Sequence, residues 1–140
     1  MEQNKAIVRR LFEAYNKQNL DALDELFASD YVDHILQLRG LESFKQFYTQ
    51  FFKGFPDTHS TIEDVVAEGD KVWTRSTVTG THKGEYRGVP PTGKEITIRC
   101  VDIYRIVDGK MVEAWAVYDF LDFYKQLGVI DYKGFPDEAM

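Results

Sequence analysis

The sequence predicts an α+β fold in which helices cover one face of a mainly antiparallel sheet. Three observations carry that prediction. Apolar residues recur at three- and four-residue spacing as far as Lys53, the signature of amphipathic helices. After Pro56 the period drops to two and β-branched residues dominate, as in half-buried strands. Helices gathered before strands, instead of alternating with them, point to a layered α+β domain and away from a parallel βαβ array.

The elements follow in order. From Glu2 to Gln18, Ile7, Val8, Leu11, Phe12 and Tyr15 form one stripe of a helix, with Arg9, Arg10, Glu13 and Lys17 elsewhere on the wheel. A short second helix is expected over Asp21 to Phe27, where Asp21 and Asp24 have capping-pair spacing and Leu23, Leu26 and Phe27 share a face. A third, Leu41 to Lys53, carries Leu41, Phe44, Tyr48 and Phe51 and stops at Gly54 and Pro56. Four strands follow in STIEDVVAE, KVWTRSTVTGTH, EITIRCVDIYRIVD and KMVEAWAVYD. Gly69-Asp70 and Asp108-Gly109 are the tight turns of two hairpins. Between Lys83 and Lys94, GEYRGVPPTG is expected to be a long exposed loop. A last helix runs from Phe120 to Leu127 and ends at Gly128, with a short tail from about 131. One domain over 1–140 is expected, since no linker composition interrupts it; KGFPD occurs at Lys53 and again at Lys133, but the flanks differ.

Composition narrows the function. In 140 residues, 44% hydrophobic and 29% charged, disorder is not expected. A formal charge of -6 repels phosphate backbones and anionic bilayers, so neither nucleic acid nor membrane is an expected partner. The opening segment interrupts every apolar pair with charge, unlike a secretory signal, and the single Cys100 forms no internal disulfide; a cytoplasmic location is the expectation. Aromatic residues at 14% suit a large core or a cavity for a small hydrophobic or aromatic ligand.

Alternation sorts the strand residues by face. On the third strand Ile98, Cys100, Asp102, Tyr104 and Ile106 oppose Arg99, Val101, Ile103, Arg105 and Val107. Neither row is plainly solvated, so the sheet is expected to be covered by its helices on one side and by a second subunit on the other, as a homodimer. On the last strand Met111, Glu113, Trp115, Val117 and Asp119 form one row. A carboxyl set among Trp and Val is a candidate proton acceptor, because lost hydration raises its pKa toward neutrality. Asp119 is therefore the candidate catalytic residue, with helix capping as the competing role. Asp102 has similar surroundings, with pairing to Arg75 as its competing role. His34, His59 and His82 lack metal-ligand spacing, and no metal site is expected. Cys100, mid-strand, reads as inert packing. Tyr15, Tyr48 and Tyr104 are further candidates for turning a hydroxyl into a pocket.

The series Phe55-Pro56-Asp57, Ile62-Glu63-Asp64, Ala67 to Val72, Gly80 to Glu85, Gly88 to Gly93 and Val101 to Arg105, then Asp108 to Glu113, Trp115, Asp119 and Leu127-Gly128, resembles the SnoaL-like polyketide cyclase, or ester cyclase, family. The resemblance implies a nuclear transport factor 2-like (cystatin-like) fold, a cone-shaped curved sheet wrapped by N-terminal and C-terminal helices, commonly dimeric through the outer sheet face. It implies that Asp119 is the acid/base of an intramolecular aldol ring closure needing no metal or organic cofactor. Many family members carry His directly before the Trp of the last strand, where this chain has Ala114.

The expected function is thus cofactor-independent cyclisation or isomerisation of a hydrophobic carbonyl compound, with Asp119 as base, Trp115 as pocket wall, and Tyr15, His34, Tyr48, Asp102 and Tyr104 binding the substrate. The alternatives are a non-catalytic binding module for an apolar or aromatic ligand, or a dimerisation domain whose cone is filled.

Overall fold

The computed structural model describes residues 1–131; the second KGFPD segment and most of the expected tail lie outside them. Helix α1 (Glu2–Asn16) is followed by a 3-10 turn (Leu20–Glu25), strands β1 (Phe27–Asp33) and β2 (Leu38–Arg39), and helix α2 (Leu41–Gly54). Strands β3 (His59–Glu68), β4 (Lys71–Thr81), β5 (Glu95–Val107) and β6 (Lys110–Tyr118) precede helix α3 (Phe120–Leu127). The six strands form one sheet in the order β2-β1-β6-β5-β4-β3. The long strands β3 to β6 are an antiparallel meander, and β1 runs parallel to β6. Among the described residues no helix is long and apolar enough to cross a membrane.

The helices lie on the inner face because their apolar stripes demand it. Helix α1 buries Val8, Leu11, Phe12 and Ala14, and α2 buries Leu41, Phe44, Phe51 and Phe52. Side-chain amides also pin two helices to the sheet. Asn16 donates to the Ser60 carbonyl at 2.9 Å and accepts from its N–H at 2.7 Å, while Gln126 does the same for Thr97 at 2.8 and 2.7 Å. Helix α3 is closed at one end by the Asp119 side chain and at the other by Gly128 in the left-handed conformation.

Two sequence expectations change and a third is refined. The second helix is only a 3-10 turn, and Phe27 begins a strand instead of ending a helix. Its ring is 2% exposed and packs against Tyr31 and Phe44, so tertiary burial outweighs the helical spacing of Leu23, Leu26 and Phe27. Strands β1 and β2 raise the count from four to six. The segment after Lys83 is the exposed loop expected, but it is tied down as a strap and Tyr86 within it is buried. Lys83 and Gly84 donate to the Gly54 carbonyl, Tyr86 and Val89 exchange backbone hydrogen bonds, and Tyr86 drops between Phe51, Phe55 and Phe123.

The face assignment of the last strand also changes, for a local reason. Arg105 pairs with Glu113 but Ile106 pairs with Met111, so Val112 is an extra residue in β6. This bulge reverses the parity of the strand. Met111 lies inside, fully buried, whereas Glu113, Trp115 and Val117 stand on the outer face. There Val66, Trp73, Ile103 and Trp115 sit directly opposite one another across β3, β4, β5 and β6, with Val66 and Trp73 exposed.

The strap depends on a close backbone approach. A Cβ on Gly84 would stand 2.1 Å from the Lys53 carbonyl oxygen, a clash that only backbone movement relieves. Gly84→Ala is therefore expected to lower stability by about 1–3 kcal/mol, the usual cost of overpacking, read as a shift of the urea denaturation midpoint.

Candidate active site

Between the inner sheet face and the three helices the core is incomplete. A cavity of about 130 Å³ remains, close to the space a single aromatic ring occupies. Its walls are largely aromatic, with Tyr15, Phe44, Tyr48, Phe51, Tyr104 and Tyr118 among them. Among the described residues three aspartates, Asp33, Asp102 and Asp119, border it, and no Lys, Arg or His does.

Asp102 is the sheltered carboxyl. Its inward position on β5 leaves it 8% exposed, and it accepts a hydrogen bond from the Tyr118 hydroxyl at 3.2 Å. Loss of hydration pushes its pKa up to about 7; the Tyr118 hydrogen bond opposes this and the charge of Asp33 adds to it. The pairing with Arg75 considered from the sequence does not form. Arg75 stands on the outer face of β4 and binds Asp64 at 2.7 Å.

Asp33 closes β1 and is likewise buried. Burial raises its pKa, opposed by the N–H groups of Leu36 and Ile35, which donate to Oδ1 at 2.8 and 3.0 Å. The neighbouring tyrosines share this dryness: burial raises Tyr15, Tyr48, Tyr104 and Tyr118 above the ordinary phenol range. They are neutral hydroxyl donors at physiological pH. Tyr15 is already engaged, 2.7 Å from Thr58 Oγ1. Burial pushes the Cys100 thiol up to about 12, which keeps it protonated and a poor nucleophile.

Asp119 lies at the junction of β6 and α3. Its Oδ1 accepts from the Asp122 N–H at 2.9 Å, so the capping role considered from the sequence is present. The residue is exposed, yet it lines the cavity. It also borders an adjoining groove of about 290 Å³ with Thr97, Ile98, Arg99, Asp122 and Gln126. Asp119 and Ile98 are common to both spaces.

The structure thus brings Tyr15, Tyr48, Asp102, Tyr104 and Asp119 to one cavity. His34 and Trp115 lie outside it. The bulge at Val112 turns Trp115 outward, where its ring stacks on His34 at 5.0 Å, and His34 Nε2 lies 2.7 Å from Glu113, which also binds Arg105. Neither is a wall of the cavity, because both belong to the opposite sheet face. Sequence reading missed Asp33 and Tyr118. Period-two spacing of Phe27, Tyr31 and Asp33 is broken by the polar Ser29-Asp30 step, and alternation along the last strand sets Tyr118 on the row opposite Trp115 and Asp119, away from the expected pocket. Among the described residues no group of three or more His, Cys, Asp or Glu is placed to hold a metal ion.

A curved open sheet wrapped by helices places the chain in the nuclear transport factor 2-like class of folds. Within it, residues 5–127 match the SnoaL-like polyketide cyclase family, and the chain belongs to that family. It is 32% identical over 129 residues to aklanonic acid methyl ester cyclase DauD of Streptomyces sp. (strain C5), covering 87% of this chain and 80% of that protein. To the nogalonic acid methyl ester cyclase of Streptomyces nogalater it is 28% identical over 120 residues, covering 82% and 90%. Among solved structures, IdmH of Streptomyces antibioticus superposes with a TM-score of 0.78 at 34% identity, covering 90% of this chain and 99% of that one. TsrD of Streptomyces laurentii gives 0.85 at 27%, covering 93% and 98%. The relatives named by activity are polyketide cyclases, which supports a SnoaL-like cyclase function.

The buried carboxyl has a cost that pH exposes. Folding raises Asp102 from an unfolded value near 4 to about 7, so the native state holds its proton more tightly than the unfolded chain. Its contribution to stability is intact below pH ~4, declines as pH rises to 7, and then levels off at a loss of up to roughly 4 kcal/mol. Asp102→Asn is expected to be more stable than the parent at pH 8 and equal to it near pH 4, measured by urea denaturation across that range.

Proposed function

We propose that the protein catalyses an intramolecular aldol ring closure of a hydrophobic, uncharged carbonyl compound, with Asp119 and Asp102 dividing the proton transfers. The observation that carries this reading is the pairing, in one aromatic cavity, of a rim carboxyl with a deep carboxyl whose pKa is about 7. Environments that separate two acids in this way assign a base and an acid. Family membership supports the reaction class, and the ester cyclases among the relatives support a carbonyl substrate.

The steps balance without a cofactor. Asp119 takes the proton from carbon beside one carbonyl, and the resulting enolate carbon attacks the second carbonyl. As the new carbon–carbon bond forms, that carbonyl oxygen takes the proton held by Asp102. Asp102 regains a proton from the protonated Asp119 by way of solvent. Tyr118, next to Asp119 in the chain, donates its hydroxyl to Asp102 and steadies the charge left on that carboxyl once its proton is transferred.

The lining also speaks about substrate charge. Three carboxyls and no cation would repel a free carboxylate, whereas an ester or ketone meets only hydroxyls and apolar rings. The cavity accommodates one ring, and the groove beyond Asp119 and Ile98 offers room for the remainder. On the outer face, the row Val66, Trp73, Ile103 and Trp115 fits pairing with a second copy of the chain. It is flanked by charges of both signs, including Arg75, Asp64, Arg105 and Glu113, as a self-complementary two-fold contact needs.

Asp119→Asn is expected to reduce turnover of a polyketide-like ester by about 10²- to 10⁴-fold, the usual worth of a positioned base, with the fold intact by circular dichroism. Unchanged turnover would leave ligand binding as the function of the cone. Because the acid must be protonated, turnover of the parent is expected to fall as pH rises through 7, and Asp102→Asn to lose both most of its rate and that dependence. Trp73→Glu is expected to convert a dimer to a monomer by light scattering; a parent that is already monomeric refutes the pairing.

A further inference from the structure

Two buried polar side-chain atoms among the described residues lack a hydrogen-bond partner: His82 Nε2 and Thr74 Oγ1. His82 stacks on Phe55 and its Nδ1 is satisfied by Thr92, away from the cavity. Thr74 is different. It is 2% exposed, lies on the inner face of β4, and is the direct antiparallel partner of Asp102. Opposed residues on one face of such a pair have Cβ atoms about 5 Å apart, within reach of one side-chain rotation.

We propose that Thr74 is the positioning residue of the Asp102 carboxyl, its hydroxyl turning to donate to that carboxylate once the proton has been given up. The hydroxyl is suited to this because its O–H is unengaged where it stands, and turning about the Cα–Cβ bond swings that donor toward the carboxylate. The surroundings supply little else. Facing Asp102 are Tyr118 from β6, Cys100 and Tyr104 from β5, Tyr31 and Asp33 from β1, and Tyr48 from α2, none of them a cation. A carboxylate formed there has the Tyr118 hydroxyl as its hydrogen-bond donor, and a second donor is what a repeated ionisation in a dry site requires. An orphaned buried hydroxyl in the adjoining position is otherwise a pure cost.

The inference rests on Asp102 as the acid of the proposed reaction, but it is tested on the carboxyl itself. The experiment titrates Asp102 by carbon-13 NMR of protein labelled at aspartate carboxyls, the signal assigned by its absence in Asp102→Asn. Thr74→Val, which keeps shape and removes the hydroxyl, is expected to raise the Asp102 midpoint by about one pH unit, with Thr74→Ser restoring it. Thr74→Ala serves the same purpose should the valine disturb folding. The pH at which turnover falls should move with the midpoint. A midpoint unmoved in a folded variant without the hydroxyl overturns the role of Thr74, whatever Asp102 does in catalysis. Turnover insensitive to Asp102→Asn, with the midpoint still moved, instead overturns the acid role and leaves the coupling between the two residues standing.

Discussion

The interaction on which the site depends is a carboxyl held in a dry, aromatic cone with no cation beside it. Water would ionise Asp102 near pH 4; a buried arginine would hold it ionised still lower. Neither is at hand in the cavity wall, and desolvation leaves the group poised near neutrality. The surrounding phenols are pushed up the pH scale by the same lack of water, further from neutrality. They donate hydrogen bonds without competing for the proton. One physical cause thus produces both a transferable proton and a set of fixed donors.

The cone exists because the sheet is asymmetric. On the inner side, helical stripes of Phe and Leu fill most of the space and leave a remnant the size of a ring. On the outer side, a cross-strand row of Val66, Trp73, Ile103 and Trp115 makes a second apolar surface. The bulge at Val112 decides which residues belong to which surface. Without that one extra residue, Trp115 would stand in the cavity and Ala114 outside it. Small side chains at Ala114 and Ala116 line the inner path of β6 instead, and keep space open above Asp102.

Much of this was legible beforehand. Strand alternation placed Cys100, Asp102 and Tyr104 on one row, and that row is the cavity floor. The end of α3 at Gly128 and its beginning at Asp119 followed from cap chemistry, which is local and needs only a few residues to specify. What alternation could not reveal was a break in its own period. A bulge leaves no mark in the residue types of KMVEAWAVY, and the inversion of Trp115 and His34 to the outer face followed from it. Strand β1 was hidden for a related reason: its polar Ser29 and Asp30 interrupt the period, and its pairing with β6 lies far away in the chain.

By itself, then, the sequence determined the helices with strong apolar stripes, the two hairpins and the family, because each rests on short-range periodicity or on a spaced motif. Only the tertiary structure decided which acid is dry and which is at the rim. Hydration is a property of everything packed around a group, and Asp102 owes its proton to residues drawn from β1, β5, β6 and α2 at once. Asp119, with nearly the same neighbours in sequence terms, is left beside solvent because the strand ends one residue before it.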